Sequence, residues 1–307
     1  MHSWVFDPEG RPRLGWRVAI CLVAFLFLQL LVAIAAFFFF SAAVPGSAPQ
    51  DGPAGKSLRA LAIVPGLLGT LLAVWGCRRF LDRRSFVSLG LGAPAFGWGG
   101  TLGIGLGAPL LLLGGLIGAL IGLRTYVVTG VTTSGETWLF FALLLPAAFS
   151  EELLMRGYVL ENLMEASGAW AAVAVSSVLF WLLHAFNPSV WSSPLVPVNL
   201  FGAGVVLALV YLASGDLWLP TVLHYGWNVT EGLVFQLPVS GVTFDGIVDL
   251  EPAAGAPEWL NGGSFGFEGS ILATLAEVVL GLVFYRLWQR RRALAGPRIP
   301  EVASQGR

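Results

Sequence analysis

The sequence predicts an all-α integral membrane protein, a polytopic bundle of about eight transmembrane helices. Of its 307 residues, 56% are hydrophobic and only 11% are charged, whereas soluble globular proteins carry roughly 25% charged residues. The mean hydropathy is +0.78. Apolar runs of about 20 residues, the length that crosses about 30 Å of hydrocarbon, recur along the chain. These observations exclude a soluble globular class.

Eight apolar runs meet the length criterion, with ends defined to within about 2–4 residues. They are residues 17–43, 57–77, 98–123, 137–157, 169–187, 195–213, 217–236 and 269–288. The first run is longer than the apolar region of a signal peptide, which is about 7–15 residues. It is therefore predicted to be an uncleaved anchor.

The predicted organisation is a cytoplasmic segment at 1–16, one membrane domain at 17–288 and a basic cytoplasmic tail at 289–307. The Gly, Pro and Ser-rich segment 44–56 predicts a loop. No internal repeat and no second domain are visible in the sequence.

Arginine clusters predict the orientation. They comprise Arg11, Arg13 and Arg17 before the first run, Arg78, Arg79, Arg83 and Arg84 after the second, and Arg290, Arg291, Arg292 and Arg298 after the last. If the chain has eight spans, all three clusters lie on the same side of the membrane. Basic residues beside the ends of spans are typical of the cytoplasmic side. Both termini are therefore predicted to be cytoplasmic. The opposite side receives the longest loop, about 237–268, which holds five acidic residues and no Lys or Arg.

Two of the three histidines, His184 and His224, lie inside predicted spans. One histidine in an apolar span is as often a packing residue as a functional one, but two of them beside carboxylates favour a functional site. Asn228 follows His224 by four residues, so both side chains share a helix face. Glu231 lies nearly on that face, and Glu277 has no partner at helical spacing, so both are interpreted as supporting or packing residues.

The stretch "SEELLMRGY", residues 150–158, ends an apolar run with two adjacent carboxylates and an arginine. Glu152 and Arg156 are four apart with the acid first, which favours a local ion pair. Glu151 lies about 100° round the helix and is free to face another partner.

These residue types are those of a hydrolytic site. A carboxylate beside an imidazole can take a proton from water, and an imidazole with an amide can hold a developing oxyanion. Glu151, His184 and His224 could instead bind zinc, because two His and one Glu form a known catalytic ligand set. The residues alone leave both readings open. Either one predicts that the side chains meet in a shared cavity.

Several common protease motifs are absent from the sequence. It contains no "HExxH", "GxSG" or "GxGD", and its only lysine is Lys56, outside the predicted spans. The serine, aspartyl and common zinc routes to intramembrane proteolysis therefore lack their usual residues.

Three short motifs resemble those of one family. "EELLMR" from Glu151, "FWLLH" from Phe180 and "HYGWN" from His224 resemble the EExxxR, FxxxH and HxxxN motifs of the CAAX protease and bacteriocin-processing family, also called Abi. They occur in the family's order, and the resemblance covers about 148–230. Three such motifs in order on membrane spans are more specific than any one alone.

The resemblance implies a membrane endopeptidase of eight helices with an active-site cavity in the bilayer and a protease core at about 137–236. The implied roles are water activation by Glu151 and His184, oxyanion stabilisation by His224 and Asn228, and support by Glu152 and Arg156. It favours a metal-free mechanism without a cofactor, with zinc held by Glu151, His184 and His224 as the alternative.

The resemblance also implies partners and location. The expected substrate is a peptide or lipid-anchored protein held at the lipid bilayer, and no nucleic-acid partner is expected. The expected location is the plasma membrane of a prokaryote. A non-proteolytic scaffold or bacteriocin-immunity protein is the alternative function, and it would tolerate loss of Glu151. A proton-coupled transporter is disfavoured, because the sequence shows no matching halves.

Overall fold

A computed structural model describes residues 4–43 and 52–294. Residues 44–51 of the predicted loop and 295–307 of the predicted tail lie outside the described residues. The second helix already begins at Gly52, so the predicted extent of this loop, to residue 56, is wrong. The last helix continues to Leu294, past residue 288, where the predicted membrane domain ends.

Helices dominate the described residues. They are α1 (Leu14–Ala43), α2 (Gly52–Gly76), α3 (Gly97–Gly122), α4 (Gly135–Glu152), α5 (Glu161–Leu183), α6 (Leu195–Ser214), α7 (Trp218–Asn228), α8 (Glu258–Asn261) and α9 (Ile271–Leu294). The segments Cys77–Leu81, Leu153–Leu160 and Val229–Val234 continue α2, α4 and α7 as π-helix. Short 3₁₀ turns lie at Phe86–Leu89, Gly263–Phe265 and Phe267–Gly269.

The predicted class of all-α multi-pass membrane protein is confirmed, but the count of spans differs. Among the described residues, six helical stretches are long and apolar enough to cross a membrane, instead of eight. The fourth and fifth predicted spans form one stretch of 49 residues, Gly135–Leu183. The seventh is shorter than a full span, because α7 has 11 residues and its π-helical continuation has 6.

Gly168 folds the long stretch back on itself. Its backbone lies at φ 75° and ψ 169°, which interrupts α5; this left-handed conformation is favourable for glycine because glycine has no Cβ. Glu151 lies 17 residues before this break and His184 lies 16 residues after it. At 1.5 Å per residue the two arms have nearly equal lengths, so the reversal returns His184 to the depth of Glu151.

Glycines set the close helix contacts that position the site. A Cβ at Gly226 on α7 would collide with the backbone of Gly105 on α3, and a Cβ at Gly204 on α6 would lie 2.9 Å from the Cα of Ser177 on α5. Small residues let the backbones of membrane helices approach closely. The helices that carry the histidines are therefore packed backbone to backbone against their neighbours.

The arginine-bearing ends of α1, α2 and α9 lie together, beside the end of α6. Arg17 Nη1 at the start of α1 lies 3.2 Å from Asp82 Oδ1, just after α2. The Leu217 N–H after α6 donates to the Gly90 carbonyl at 2.8 Å. Arg291 near the end of α9 donates to the last turn of α6. The three arginine clusters therefore share one end of the bundle, whereas the side of the membrane that this end faces stays a prediction.

The opposite end carries a small antiparallel sheet that the sequence analysis did not predict. Strand β1 (Tyr126–Val131) follows α3, and β2 (Val248–Pro252) lies in the predicted acidic loop. The Tyr126 hydroxyl donates to the Asn261 carbonyl at 2.6 Å. The loop before α9 is thereby tied to the bundle and does not extend from it.

Candidate active site

Glu152 and Arg156 form a fully buried ion pair. Arg156 Nη1 lies 2.9 Å from Glu152 Oε1, and both side chains are at most 1% exposed. The guanidinium also donates from Nη2 to the Gly204 carbonyl at 3.2 Å. Buried charges are stable only when they are paired and hydrogen-bonded. The spacing of four in the sequence correctly predicts this pair.

His224 binds the same carboxylate. Its Nδ1 lies 2.9 Å from Glu152 Oε1, although the two residues are 72 positions apart. Because the acceptor is a carboxylate, Nδ1 carries the hydrogen and Nε2 faces elsewhere. The second oxygen of Glu152, Oε2, is buried without a hydrogen-bond partner among the described residues. Glu152 thus joins the first and third motifs.

Phe180 joins the second motif to both of the others. The Arg156 guanidinium lies 4.5 Å from the centre of the Phe180 ring, a cation–π contact. The same ring lies 4.6 Å from the His184 ring and 6.2 Å from the His224 ring, measured between centroids. The aromatic side chain therefore separates and aligns the arginine and the two imidazoles.

Glu151 faces His184. Its Oε2 lies 3.7 Å from His184 Nε2, beyond hydrogen-bond length. The Nδ1 of His184 donates to the Phe180 carbonyl at 2.8 Å, so in the neutral ring Nε2 is a free acceptor. Glu151 Oε2 is buried without a hydrogen-bond partner among the described residues. A water could bridge this carboxylate and this imidazole.

A cavity of about 640 Å³, counting its open mouth, lies beside these groups. His184, His224 and Asn228 line it, and most of its remaining wall is apolar. Glu151 and Glu152 are not among the lining residues, and they contact it through the two histidines. The structure thus brings three of the four predicted catalytic side chains to one cavity and places the fourth against its edge.

Four polar lining residues were not predicted as site residues: Asn199, Ser240, Glu268 and Glu277. Glu268 Oε2 accepts hydrogen bonds from the Ser240 amide and hydroxyl, both at 2.8 Å. Burial raises the pKa of the Glu268 carboxyl. No local motif marks these residues, because the loop before α9 brings Ser240 and Glu268 to the site. For Glu277, the available sequence signal was an acidic residue inside a predicted membrane span.

Glu231 and Glu277 differ in where they lie. Glu231 is 0% exposed and accepts hydrogen bonds from Trp227 Nε1 at 2.9 Å and from the Glu268 amide at 3.2 Å. Glu231 therefore stabilises the loop that carries Glu268, which agrees with the supporting role predicted for Glu231. The Glu277 carboxyl lies over Gly202 on α6, where a Cβ would collide with it.

The described residues do not place these donors around a single point. Both histidines donate from Nδ1, as metal-binding histidines often do. However, the described residues contain no group of three His, Cys, Asp or Glu side chains placed to hold one ion. Glu151 contacts His184, whereas His224 contacts Glu152. Zinc binding by Glu151, His184 and His224 would require these side chains to move together.

The fold and the cavity define a multi-pass membrane protein with a polar site buried among its helices. Residues 133–230, roughly a third of the chain, match the Rce1-like family of type II CAAX prenyl endopeptidases. This segment contains all three motifs, so the resemblance to the CAAX protease family is confirmed over these residues. The match supports a CAAX-protease-like peptidase in the membrane. No curated protein matches the chain.

Proposed function

We propose that the chain is an intramembrane endopeptidase that hydrolyses peptide bonds of membrane-associated or lipid-anchored peptides and proteins. The observation that carries the proposal is Glu151 Oε2, which has no hydrogen-bond partner among the described residues and lies 3.7 Å from His184 Nε2, beside a cavity lined by His224 and Asn228. This arrangement places a general base, a position for water and the oxyanion donors in one site. The proposed setting is a prokaryotic plasma membrane, with the arginine-rich end of the bundle and both termini in the cytoplasm.

Glu151 and His184 would activate the attacking water. A water donating one hydrogen to Glu151 Oε2 and the other to His184 Nε2 satisfies both free acceptors. Proton transfer to Glu151 generates the hydroxide, whose oxygen bonds to the peptide carbonyl carbon. When the C–N bond breaks, the same proton passes from Glu151 to the leaving amine, so the carboxylate is regenerated. General-base catalysis of this kind contributes typically 10²–10⁴-fold.

His224 and Asn228 would stabilise the oxyanion. The Asn228 amide is a donor as it stands, but His224 already uses its Nδ1 hydrogen on Glu152. Donation to an oxyanion needs a second hydrogen on Nε2, so this role requires the imidazolium form. The positive charge of that form would lie 2.9 Å from Glu152 Oε1, measured from Nδ1. Removing one oxyanion donor typically costs about 2.7–4 kcal/mol in the barrier.

The setting of the cavity supports the proposed substrate class. Its wall is largely apolar and is built from membrane helices. A peptide already held at the bilayer by a lipid or an apolar segment reaches such a cavity at high local concentration. A membrane-held peptide or a lipid-anchored protein is therefore the proposed substrate.

Cleavage of a quenched-fluorescent, lipid-anchored peptide library by the purified chain tests the proposal. Glu151→Gln should lower turnover by about 10²–10⁴-fold and leave folding intact. Glu251→Gln, on the exposed strand β2, is the matched control and should retain turnover. Equal turnover by the native chain and Glu151→Gln would contradict the catalytic role of Glu151.

Two further arms separate the alternatives. Exhaustive chelation should leave turnover unchanged. Loss of turnover on chelation, with recovery on adding zinc, would support a metal held by Glu151, His184 and His224. A native chain that cleaves no peptide in the library would favour the non-proteolytic scaffold.

A further inference from the structure

A second cavity lies at the arginine-rich end of the bundle, away from the candidate active site. Its volume is about 1180 Å³, counting its wide mouth. The lining includes the ends of α6 and α9, the start of α5 and the segment that follows α2. Its charged and aromatic lining residues are Glu161, Tyr211, Trp288, Arg291 and Arg292.

Arg292 is exposed and has no acidic partner in the part of the chain that the structure describes. Its guanidinium lies 5.1 Å from the centre of the Trp288 ring, which holds it by a cation–π contact. No carboxylate among the described residues lies within ion-pair distance of this side chain. By contrast, Arg17, Arg78 and Arg156 each pair with a buried carboxylate.

Arg291 is fixed at the end of α6. Its Nη1 donates to the Ala213 carbonyl at 3.3 Å. Its guanidinium occupies the space above Gly215, where a Cβ would collide with it. A guanidinium has five N–H donors in a planar fork, so this single contact leaves donors for a ligand. The cavity therefore contains one anchored arginine and one free arginine.

Glu161 is the acidic group among these residues, and it is engaged. Its Oε2 accepts a hydrogen bond from the Tyr211 hydroxyl at 3.2 Å. Two arginines and one glutamate among the lining residues give formal charges of +2 and −1, a net charge of +1. The cavity favours an anion, and guanidinium forks match phosphate oxygens in particular.

We infer that this cavity binds the phosphate headgroup of an anionic phospholipid. The ends of membrane helices lie at headgroup depth, and basic pockets between helices bind anionic headgroups. The apolar side chains of Val87, Met164 and Leu212 line the same cavity beside the arginines. They offer acyl chains an apolar surface, which free phosphate would not use, so a phospholipid fits this position better than the free anion.

Thermal unfolding of the full chain in neutral detergent tests the inference. Short-chain phosphatidylglycerol should raise the unfolding midpoint saturably. Phosphatidylcholine of the same chain length and inorganic phosphate should not. An equal rise with phosphatidylcholine would contradict a headgroup site, and an equal rise with inorganic phosphate would overturn the phospholipid assignment.

Two variants that each remove one positive charge distinguish binding in the cavity from nonspecific attraction to this end of the bundle. Arg292→Gln should weaken the apparent affinity for phosphatidylglycerol about fivefold, and it is expected to fold because the side chain is exposed. Arg290→Gln removes the same charge two residues away, from an exposed position that does not line the cavity. It should leave the affinity unchanged. Equal weakening by both variants would reduce the effect to nonspecific charge and overturn the inference.

Discussion

Asp82 and Glu152 are both buried carboxylates paired with arginine, but their surroundings differ. Asp82 Oδ1 accepts from Arg17 Nη1 at 3.2 Å and from the Tyr158 hydroxyl at 3.4 Å. Its Oδ2 accepts from Arg78 Nη1 at 3.0 Å and from Asn162 Nδ2 at 3.2 Å. Neither cavity described above is lined by this carboxylate. Both oxygens of the Asp82 carboxylate are therefore satisfied, although Arg17 Nε and Asn162 Oδ1 beside it have no hydrogen-bond partner among the described residues.

The Glu152 carboxylate, by contrast, is only partly hydrogen-bonded. Glu152 Oε1 binds both Arg156 and His224, yet Oε2 has no partner among the described residues, and neither does Oε2 of the adjacent Glu151. The histidines that these acids contact line a cavity. Buried polar atoms are nearly always satisfied by protein or water, so unpartnered carboxylate oxygens beside a cavity indicate a place for water or substrate.

The comparison separates two uses of buried charge in one bundle. A saturated carboxylate ties helix ends together, and its loss should affect stability alone. Loss of Glu151, which pairs with no arginine, should affect catalysis more than stability, whereas loss of Glu152 would also leave Arg156 buried without a counter-charge. Substitutions in the two clusters can therefore break or sharpen the distinction.

The largest effect on stability is expected for Asp82→Asn. The change leaves Arg17 and Arg78 buried without a counter-charge, which should lower the free energy of unfolding by about 3–5 kcal/mol. Turnover per folded molecule should not change. Unfolding in detergent and specific activity measure the two quantities, with the exposed Arg79→Gln as the control. A loss of turnover beyond the loss of folded protein would make Asp82 part of the catalytic apparatus.

An intermediate effect is expected for Gly226→Ala. The new Cβ would collide with the Gly105 backbone and push α7 from α3, costing about 1–3 kcal/mol. His224 and Asn228 move with α7, so turnover should fall as well. Gly103→Ala is the control, because a Cβ there meets no atom within 4 Å. Equal behaviour of the two variants would show that the close α3–α7 contact does not position the site.

The smallest effect is expected from the pH dependence of Glu268. Burial raises the pKa of this carboxyl in the folded chain, so the folded state holds the proton more tightly than the unfolded state. The resulting stability is complete below the unfolded pKa of about 4.3 and is lost as the pH rises through the folded pKa. Glu268→Gln should flatten this decline, because the amide does not titrate. Parallel pH profiles of unfolding for native chain and variant would contradict it.

The features that the sequence predicts correctly are local. Glu152 and Arg156 pair because they are one helical turn apart, and His224 and Asn228 reach one cavity for the same reason. The apolar runs predict the class of fold. Each of these inferences needs only helix geometry and the cost of burying charge.

The features that the sequence does not predict depend on distant partners. His224 meets Glu152 across 72 positions, and Ser240 and Glu268 reach the cavity through a loop. The β1–β2 pair joins two loops. The reversal at Gly168 is compatible with predicted spans on either side, but its backbone conformation is not encoded in any motif. Helical periodicity contains no information on such contacts.

Coupling between Glu151 and His184 tests the central claim that they activate one water together. The kcat/KM on a lipid-anchored peptide should be measured for the native chain, Glu151→Gln, His184→Asn and the double variant. If the two groups act as a unit, each single change lowers kcat/KM by about 10²-fold or more, and the double change lowers it little further. Losses that multiply in the double variant, or full turnover without either group, would contradict the account.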